Sequence, residues 1–272
     1  MRSGRTPDGL AFAVQGEGPA LLLLPGYGAS AVTLRAPLAM LSRSFTCVTF
    51  DYRGTGDSTP WYGSLSTRSM ARDAARVLEY ARVDLAHVYG LSLGGMVAQE
   101  LAIERPELID RLVLGATTAG GWQAAIADPL DLCCSLRDAR ARVPGTTSTL
   151  SWVAVTHGWA AATHNSADRL DRIAAPTLVI HGERDRMLPL ENAKLLARGI
   201  PNAELQILRG EGHLFAFTDR GASTRGIAAW LNGLVEPAAT PSRPPRRPSS
   251  PVLNQLLPSW QSARMYLKLL TS

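Results

Sequence analysis

Lysine is almost missing from this 272-residue chain: it stands only at Lys194 and Lys268, and arginine supplies nearly all the positive charge. Cysteine is scarce as well. Cys47, Cys133 and Cys134 make an odd count, two of them adjacent, with no spacing that suits a disulfide framework or a zinc site. That excludes a disulfide-stapled fold, fits a reducing compartment and leads to the expectation of a cytoplasmic protein without a metal. Long apolar runs are absent too. The longest, Ala20–Leu24, stops at Pro25-Gly26, whereas a membrane-spanning helix needs roughly 20 residues. Met1–Arg5 lacks the apolar stretch of a signal peptide. Acidic residues disappear after Glu236, while Arg243, Arg246, Arg247, Arg264 and Lys268 remain, and these five account for the whole net charge of +5. The preceding body is neutral, which argues against a nucleic-acid partner.

What is present points to a layered α/β protein. Hydrophobic residues make up 46% and charged residues 19%, enough for a substantial core. Short apolar runs at Leu10–Val14, Ala20–Leu24, Phe45–Phe50, His87–Tyr89, Arg111–Leu114, Thr177–Ile180 and Glu204–Leu208 read as strands. Several are continuous rather than alternating, as in parallel strands covered on both faces. Helical patterns lie between them. One starts near Ser66, one runs from Leu93 to before Pro106, one covers Glu191–Arg198 and one Ala222–Leu234. The alternation implies a mostly parallel central sheet with helices on both faces. Residues 1–116 and 166–235 form that core, and 117–165, without a clear strand pattern, read as a short helical cap. Residues 236–272 begin with a Pro/Ser/Arg linker and continue as a weakly amphipathic basic tail. Its spread charges are no stable membrane anchor, and it is expected to be flexible.

The chemistry concentrates in Tyr89-Gly90-Leu91-Ser92-Leu93-Gly94-Gly95-Met96. Ser92 falls where a strand hands over to a helix. A nucleophile there must project from a sharp turn, and bulky side chains two residues away would collide, so Gly90 and Gly94 clear the space. The helix N-terminus aims its N–H groups and positive dipole at a developing oxyanion. This is the Gly-x-Ser-x-Gly nucleophile elbow, against the alternative of a helix-capping serine in a strand-to-helix loop.

Together with four further motifs, this stretch resembles the α/β-hydrolase superfamily over roughly residues 8–235. Leu21–Ser30 (LLLLPGYGAS) is similar to the family's oxyanion strand and loop, and Asp51–Ser58 (DYRGTGDS) to its Asp-x-Arg-Gly-x-Gly-x-Ser turn. Gly90–Ala102 (GLSLGGMVAQELA) resembles the enol-lactonase, cofactor-free perhydrolase and small serine esterase branch. Pro176–Asp185 (PTLVIHGERD) matches the acid strand, and Gly210–Phe215 (GEGHLF) the histidine loop. The resemblance implies an α/β-hydrolase fold with Ser92 as nucleophile, Asp185 as acid and His213 as base, in the family's chain order. A serine hydroxyl is a weak nucleophile, so His213 takes its proton, while Asp185 holds the imidazole tautomer and stabilises the imidazolium. The backbone N–H groups of Leu93 and Tyr27 are the implied oxyanion donors.

The implied substrate is a small carboxylic ester, lactone or thioester, cleaved without a cofactor through an acyl-Ser92 intermediate. Perhydrolysis, C–C bond hydrolysis and a slow-turnover ligand sensor are the alternatives that keep the same three residues. Tyr27, Trp122, Trp152 and Trp159 are candidates for the substrate pocket, against the alternative that the tryptophans form the core of the cap. Glu183 reads as a solvated turn residue, and His181 and His87 as structural. His157 and His164 read as solvated or locally bonded, and Arg53, Gly54 and Gly56 as turn formers. Relatives carry a strand before the one at Leu10, and the chain is expected to lack it.

Overall fold

The computed structural model describes residues 1–121, 123–125, 128 and 152–234. Expectations for Trp122, for most of the cap and for the tail lie outside these residues, as do Cys133 and Cys134. Among the described residues eight strands form one sheet: β1 (Arg2–Arg5), β2 (Ala11–Gln15), β3 (Ala20–Leu24), β4 (Thr46–Phe50), β5 (Ala86–Leu91), β6 (Ile109–Gly115), β7 (Thr177–Gly182) and β8 (Ala203–Leu208). Their order is β1-β2-β4-β3-β5-β6-β7-β8. β2 pairs antiparallel with both β1 and β4, and every pairing from β4 to β8 is parallel.

The continuous apolar runs are explained by the two layers. Leu22 and Leu24 of β3, Val48 and Phe50 of β4 and Val88 of β5 enter one core with α2 (Thr67–Ala81), α3 (Leu93–Glu104) and the helix Glu191–Gly199. Leu21 and Leu23, Cys47, Tyr89 and Leu91 enter the opposite core with α1 (Arg35–Leu41) and the C-terminal helix Ala222–Leu231. Successive strand side chains point to opposite faces, so a strand covered twice must be apolar at every position. Each buried leucine contributes roughly 1.5–3 kcal/mol. Cys47 is fully enclosed, and burial pushes its thiol up to about 12.

Among the described residues the remaining α-helices, in chain order, are α4 (Trp152–Ala162), α5 (Glu191–Gly199), α6 (Phe215–Thr218) and α7 (Ala222–Leu231). α2 starts where Ser66 caps it: the Ser66 hydroxyl accepts from the Ser69 N–H at 3.1 Å, and the Ser69 hydroxyl accepts from the Ser66 N–H at 2.9 Å. α3 ends at Glu104, ahead of Pro106.

The expectation that the first strand is missing is wrong. β1 pairs with β2 from Arg2↔Val14 to Arg5↔Ala11. Its sequence, Arg-Ser-Gly-Arg, has no apolar residue to announce it, and it is a strand because β2 offers an unpaired edge. Gly4 lies under the Phe12 ring, where a Cβ would stand 2.6 Å from the ring's tip. α1 also escaped the sequence pattern. Among the described residues no helix is long and apolar enough to cross a membrane.

Candidate active site

Ser92 occupies the junction between β5 and α3 with φ 55° and ψ −118°. A positive φ is uncommon for a residue with a side chain and marks a strained turn. Its N–H donates to Gly115 O at 2.8 Å, and Thr117 Oγ1 donates to Ser92 O at 2.7 Å, so β6 and the segment after it hold the turn. The flanking glycines serve close approach rather than unusual dihedrals, since none of the three has a positive φ. A Cβ on Gly90 would lie 2.3 Å from Gly94 O, one on Gly94 2.1 Å from Leu24 O, and one on Gly95 2.6 Å from Thr117 Cβ.

Two loops from the C-terminal ends of neighbouring strands meet Ser92. Asp185 follows β7, and His213 follows β8. His213 Nδ1 lies 2.8 Å from Asp185 Oδ2, and its Nε2 lies 3.0 Å from Ser92 Oγ. Asp185 Oδ1 accepts from the Met187 and Leu188 N–H groups, both at 2.9 Å. Burial alone would raise this carboxyl. The charge of His213 and hydrogen bonds from His181 and His213 outweigh burial and hold it well below the usual carboxylate range. An ionised Asp185 accepts from the Nδ1–H of His213, which leaves the Nε2 lone pair facing the Ser92 hydroxyl.

The loops are fastened to each other. Arg184 N–H donates to Glu211 O at 2.8 Å, and Glu183 N–H to Leu208 O at 3.0 Å. Glu183 Oε2 accepts from the Gly210 N–H at 3.0 Å. Glu183 thus braces the histidine loop from a position without contact to Ser92. A Cβ on Gly182 would stand 2.5 Å from Gly212 O, so only glycine lets the loops approach this closely.

The loop after β3 faces the serine from the other side. A Cβ on Gly26 would lie 3.5 Å from Ser92 Cβ. Tyr52 OH donates to Pro25 O at 3.3 Å, and Tyr27 OH to Ala154 O of α4 at 2.9 Å. The Tyr27 side chain is therefore committed to α4. Leu93 is the first residue of α3, where backbone N–H groups have no partner within the helix. The Asp51–Ser58 turn is structural. Asp51 carboxylate oxygens accept from the Ala31 N–H at 2.7 Å and the Asp57 N–H at 2.8 Å, and Gly54 and Gly56 have φ of 79° and 47°. Arg53 pairs with Asp73 and Asp8.

Two expectations need correction. Trp152 and Trp159 are 50% and 45% exposed, because their seven-residue spacing places both on the outer side of α4. The inner side carries Ala154, His157, Gly158 and Ala160. His157 and His164 are not solvated, nor bonded to chain neighbours. His157 Nδ1 accepts from the Gly28 N–H at 3.3 Å, and His164 Nδ1 lies 2.9 Å from Thr67 Oγ1. Burial pulls both imidazoles down to about 4, so they are neutral. His157 is the site-adjacent residue that the sequence reading missed. Its only local signal is the run of small residues around it, which marks a helix face packed at close range. Among the described residues no cluster suits a metal ion.

A family model described as the α/β hydrolase fold matches residues 19–150, and a second, described as TAP-like protein, matches residues 145–240. The chain is 30% identical over 250 residues to a poly(3-hydroxyalkanoate) depolymerase of Ectopseudomonas oleovorans, covering 82% of this chain and 88% of the relative. It is 29% identical over 244 residues to a putative carbamate hydrolase RutD of Azorhizobium caulinodans, covering 76% and 89%. Among solved structures, a hydrolase from Pseudomonas aeruginosa superimposes with a TM-score of 0.72 at 27% identity, covering 85% of this chain and 97% of the other.

Proposed function

The chain belongs to the α/β-hydrolase family, and from that premise we propose that it is a serine hydrolase cleaving a small carboxylic ester, lactone or thioester. The observation that carries this reading is His213, which spans Asp185 and Ser92 at 2.8 and 3.0 Å. Ser92 Oγ attacks the carbonyl carbon as its proton passes to His213 Nε2. The tetrahedral oxyanion is received by the N–H groups of Leu93 and Tyr27. The bond to the leaving oxygen or sulfur breaks, and His213 returns the proton to it, giving an alcohol or thiol and an acyl-Ser92 ester. Water then gives a proton to His213 and attacks the acyl carbon. Collapse releases the carboxylic acid and restores the Ser92 hydroxyl. Tyr27 is held where its loop meets α4. The relatives' names, a poly(3-hydroxyalkanoate) depolymerase and a putative carbamate hydrolase, support attack at a carbonyl carbon.

A fluorophosphonate probe tests the reading. Wild type is expected to gain one phosphonyl adduct by mass spectrometry and Ser92→Ala none, and a panel of p-nitrophenyl esters, lactones and acyl thioesters then ranks the substrates. Equal labelling of both proteins rejects Ser92 as the nucleophile.

A further inference from the structure

The loop from Pro25 to Ala29 is a turn with a choice built into it. Ala29 N–H donates to Gly26 O at 3.3 Å and closes a four-residue turn. Gly28, its third residue, has φ 62°, while Tyr27 has no positive φ. That combination is the mark of a type II turn. A type I turn closes the same hydrogen bond with the central peptide, Tyr27 C=O to Gly28 N–H, rotated by about half a turn. With glycine at the third position the alternatives are close in energy, so an outside contact must decide which is occupied.

His157 makes that contact. Its Nδ1 accepts from the Gly28 N–H at 3.3 Å, across 129 positions of sequence. The imidazole is fully buried, with Tyr52 and Tyr27 edge-on at ring-centre distances of 5.6 and 6.4 Å. Rotating the central peptide would turn the Tyr27 carbonyl toward the Nδ1 lone pair, acceptor against acceptor. The peptide before Gly26 is held by Tyr52 OH on Pro25 O, and the peptide after Tyr27 by His157. The Gly26–Tyr27 peptide, which carries the Tyr27 N–H, is thereby bracketed on both sides. Among the described residues Nε2 of His157 is buried without a partner. Phenylalanine of similar shape would avoid that penalty, so what distinguishes histidine here is the Nδ1 lone pair.

We infer that His157 is a positioning residue: from the cap helix it fixes the oxyanion loop in the turn that presents the Tyr27 N–H to Ser92. This rests on the acyl-Ser92 reading. The role belongs to the transition state, because the Tyr27 N–H is needed when the oxyanion forms rather than when substrate binds.

The test compares His157→Phe, which keeps the ring and removes the acceptor, with His157→Asn, whose side-chain oxygen can take the place of Nδ1. His157→Phe is expected to lower kcat about 10- to 100-fold with KM within about threefold. Asn is expected to restore most of the loss. The Ki of a trifluoromethyl ketone, whose adduct places an oxyanion in the hole, should rise in parallel with the fall in kcat. Unchanged kcat in His157→Phe, a loss confined to KM, or Asn no better than Phe overturns the inference. Should the Phe variant fail to fold, ¹⁵N spectra of the five histidines of the wild type decide: His157 must be in the Nε2–H tautomer at pH 7, and Nδ1–H overturns it. Absence of wild-type fluorophosphonate labelling would instead overturn the underlying serine-hydrolase reading.

Discussion

Nε2 of His181 stands 3.2 Å from Oδ2 of Asp185, the same oxygen that His213 addresses from 2.8 Å. His181 Nε2 also lies 2.8 Å from Leu188 O, so its hydrogen is shared between the carbonyl and the carboxylate. With the two N–H groups on Oδ1, the Asp185 carboxylate is held in one plane and one orientation. That orientation is what aims Nδ1 of His213, and through it Nε2, at Ser92.

Asp185→Asn should therefore lower kcat by about 10³- to 10⁴-fold, since an amide can present N–H₂ to Nδ1 and reverse the tautomer. Glu183→Gln keeps an acceptor for the Gly210 N–H and should change kcat by less than about fivefold. Steady-state kinetics on one p-nitrophenyl ester checks both. The opposite ranking would make Glu183 the acid.

The glycines around the serine are separable by substitution. Gly94→Ala drives a Cβ to 2.1 Å from the Leu24 carbonyl oxygen, a backbone atom that cannot rotate away. We expect a loss of about 3 kcal/mol or more, a fall in Tm of roughly 6–12 °C, and activity lost with it. Gly26→Ala meets only ordinary contacts at 3.5 Å and should melt within roughly 2 °C of wild type. Calorimetry on the two proteins side by side checks the contrast, and equal melting temperatures would refute it.

Acid should weaken the fold well before it reaches the carboxylates. The unfolded chain takes up a proton at each histidine near pH 6.5, whereas burial keeps His157 and His164 neutral down to about 4. Between those values the unfolded state binds more protons, so stability falls as pH falls. Asp185 is depressed in the folded state, so its contribution is fully present above the unfolded carboxyl value of about 3.9 and is lost only below it. From pH 7 to 5 His157 and His164 each contribute on the order of 1–2 kcal/mol of loss, and His87, also lowered by burial, acts in the same direction. Urea titrations at the two pH values measure it, and His164→Gln should flatten the slope. A wild type equally stable at pH 5 and 7 would contradict this.

Glu100 gives a fourth test. It is 1% exposed on α3, with Arg169 Nη1 and Nη2 at 2.8 and 2.7 Å. Glu100→Gln leaves the guanidinium without its countercharge and should destabilise by about 3 kcal/mol, the low end for a broken buried pair because Arg169 keeps some solvent. Denaturant melts check it, and a change under about 1 kcal/mol would place the pair among weak surface contacts.

Much of this was readable in the chain because it was written locally. Ala20–Leu24 is apolar at every position, and β3 has those bounds. Ser66 caps α2, Pro106 stops α3, and the spacing of Gly90, Ser92 and Gly94 describes a collision that the backbone distances display. Ser92, Asp185 and His213 each sit in a distinctive strand-to-loop context, and the sheet brings them together. What stayed hidden depends on partners far away. Arg2–Arg5 has no strand pattern and is a strand only because β2 lies beside it. His157 looks like any helix histidine until Gly28 arrives from the other end of the fold. Trp152 and Trp159 invite a pocket by composition, and helix phase turns them outward.

The strapped loops after β7 and β8 have a further consequence for how the molecule fails. Among the described residues β8 is the edge strand, exposed from Leu205 to Ile207, whereas β5 lies between β3 and β6. His213 thus hangs from the edge strand, Asp185 from its inner neighbour β7, and Ser92 from β5 further in. Edges open more readily than centres, and the Arg184–Glu211 link makes the two loops leave as one piece. Opening of that edge would carry Asp185 and His213 away from an intact Ser92 turn. Turnover is therefore expected to fall reversibly on warming before the sheet melts, and activity and far-UV melting curves recorded on one sample check it.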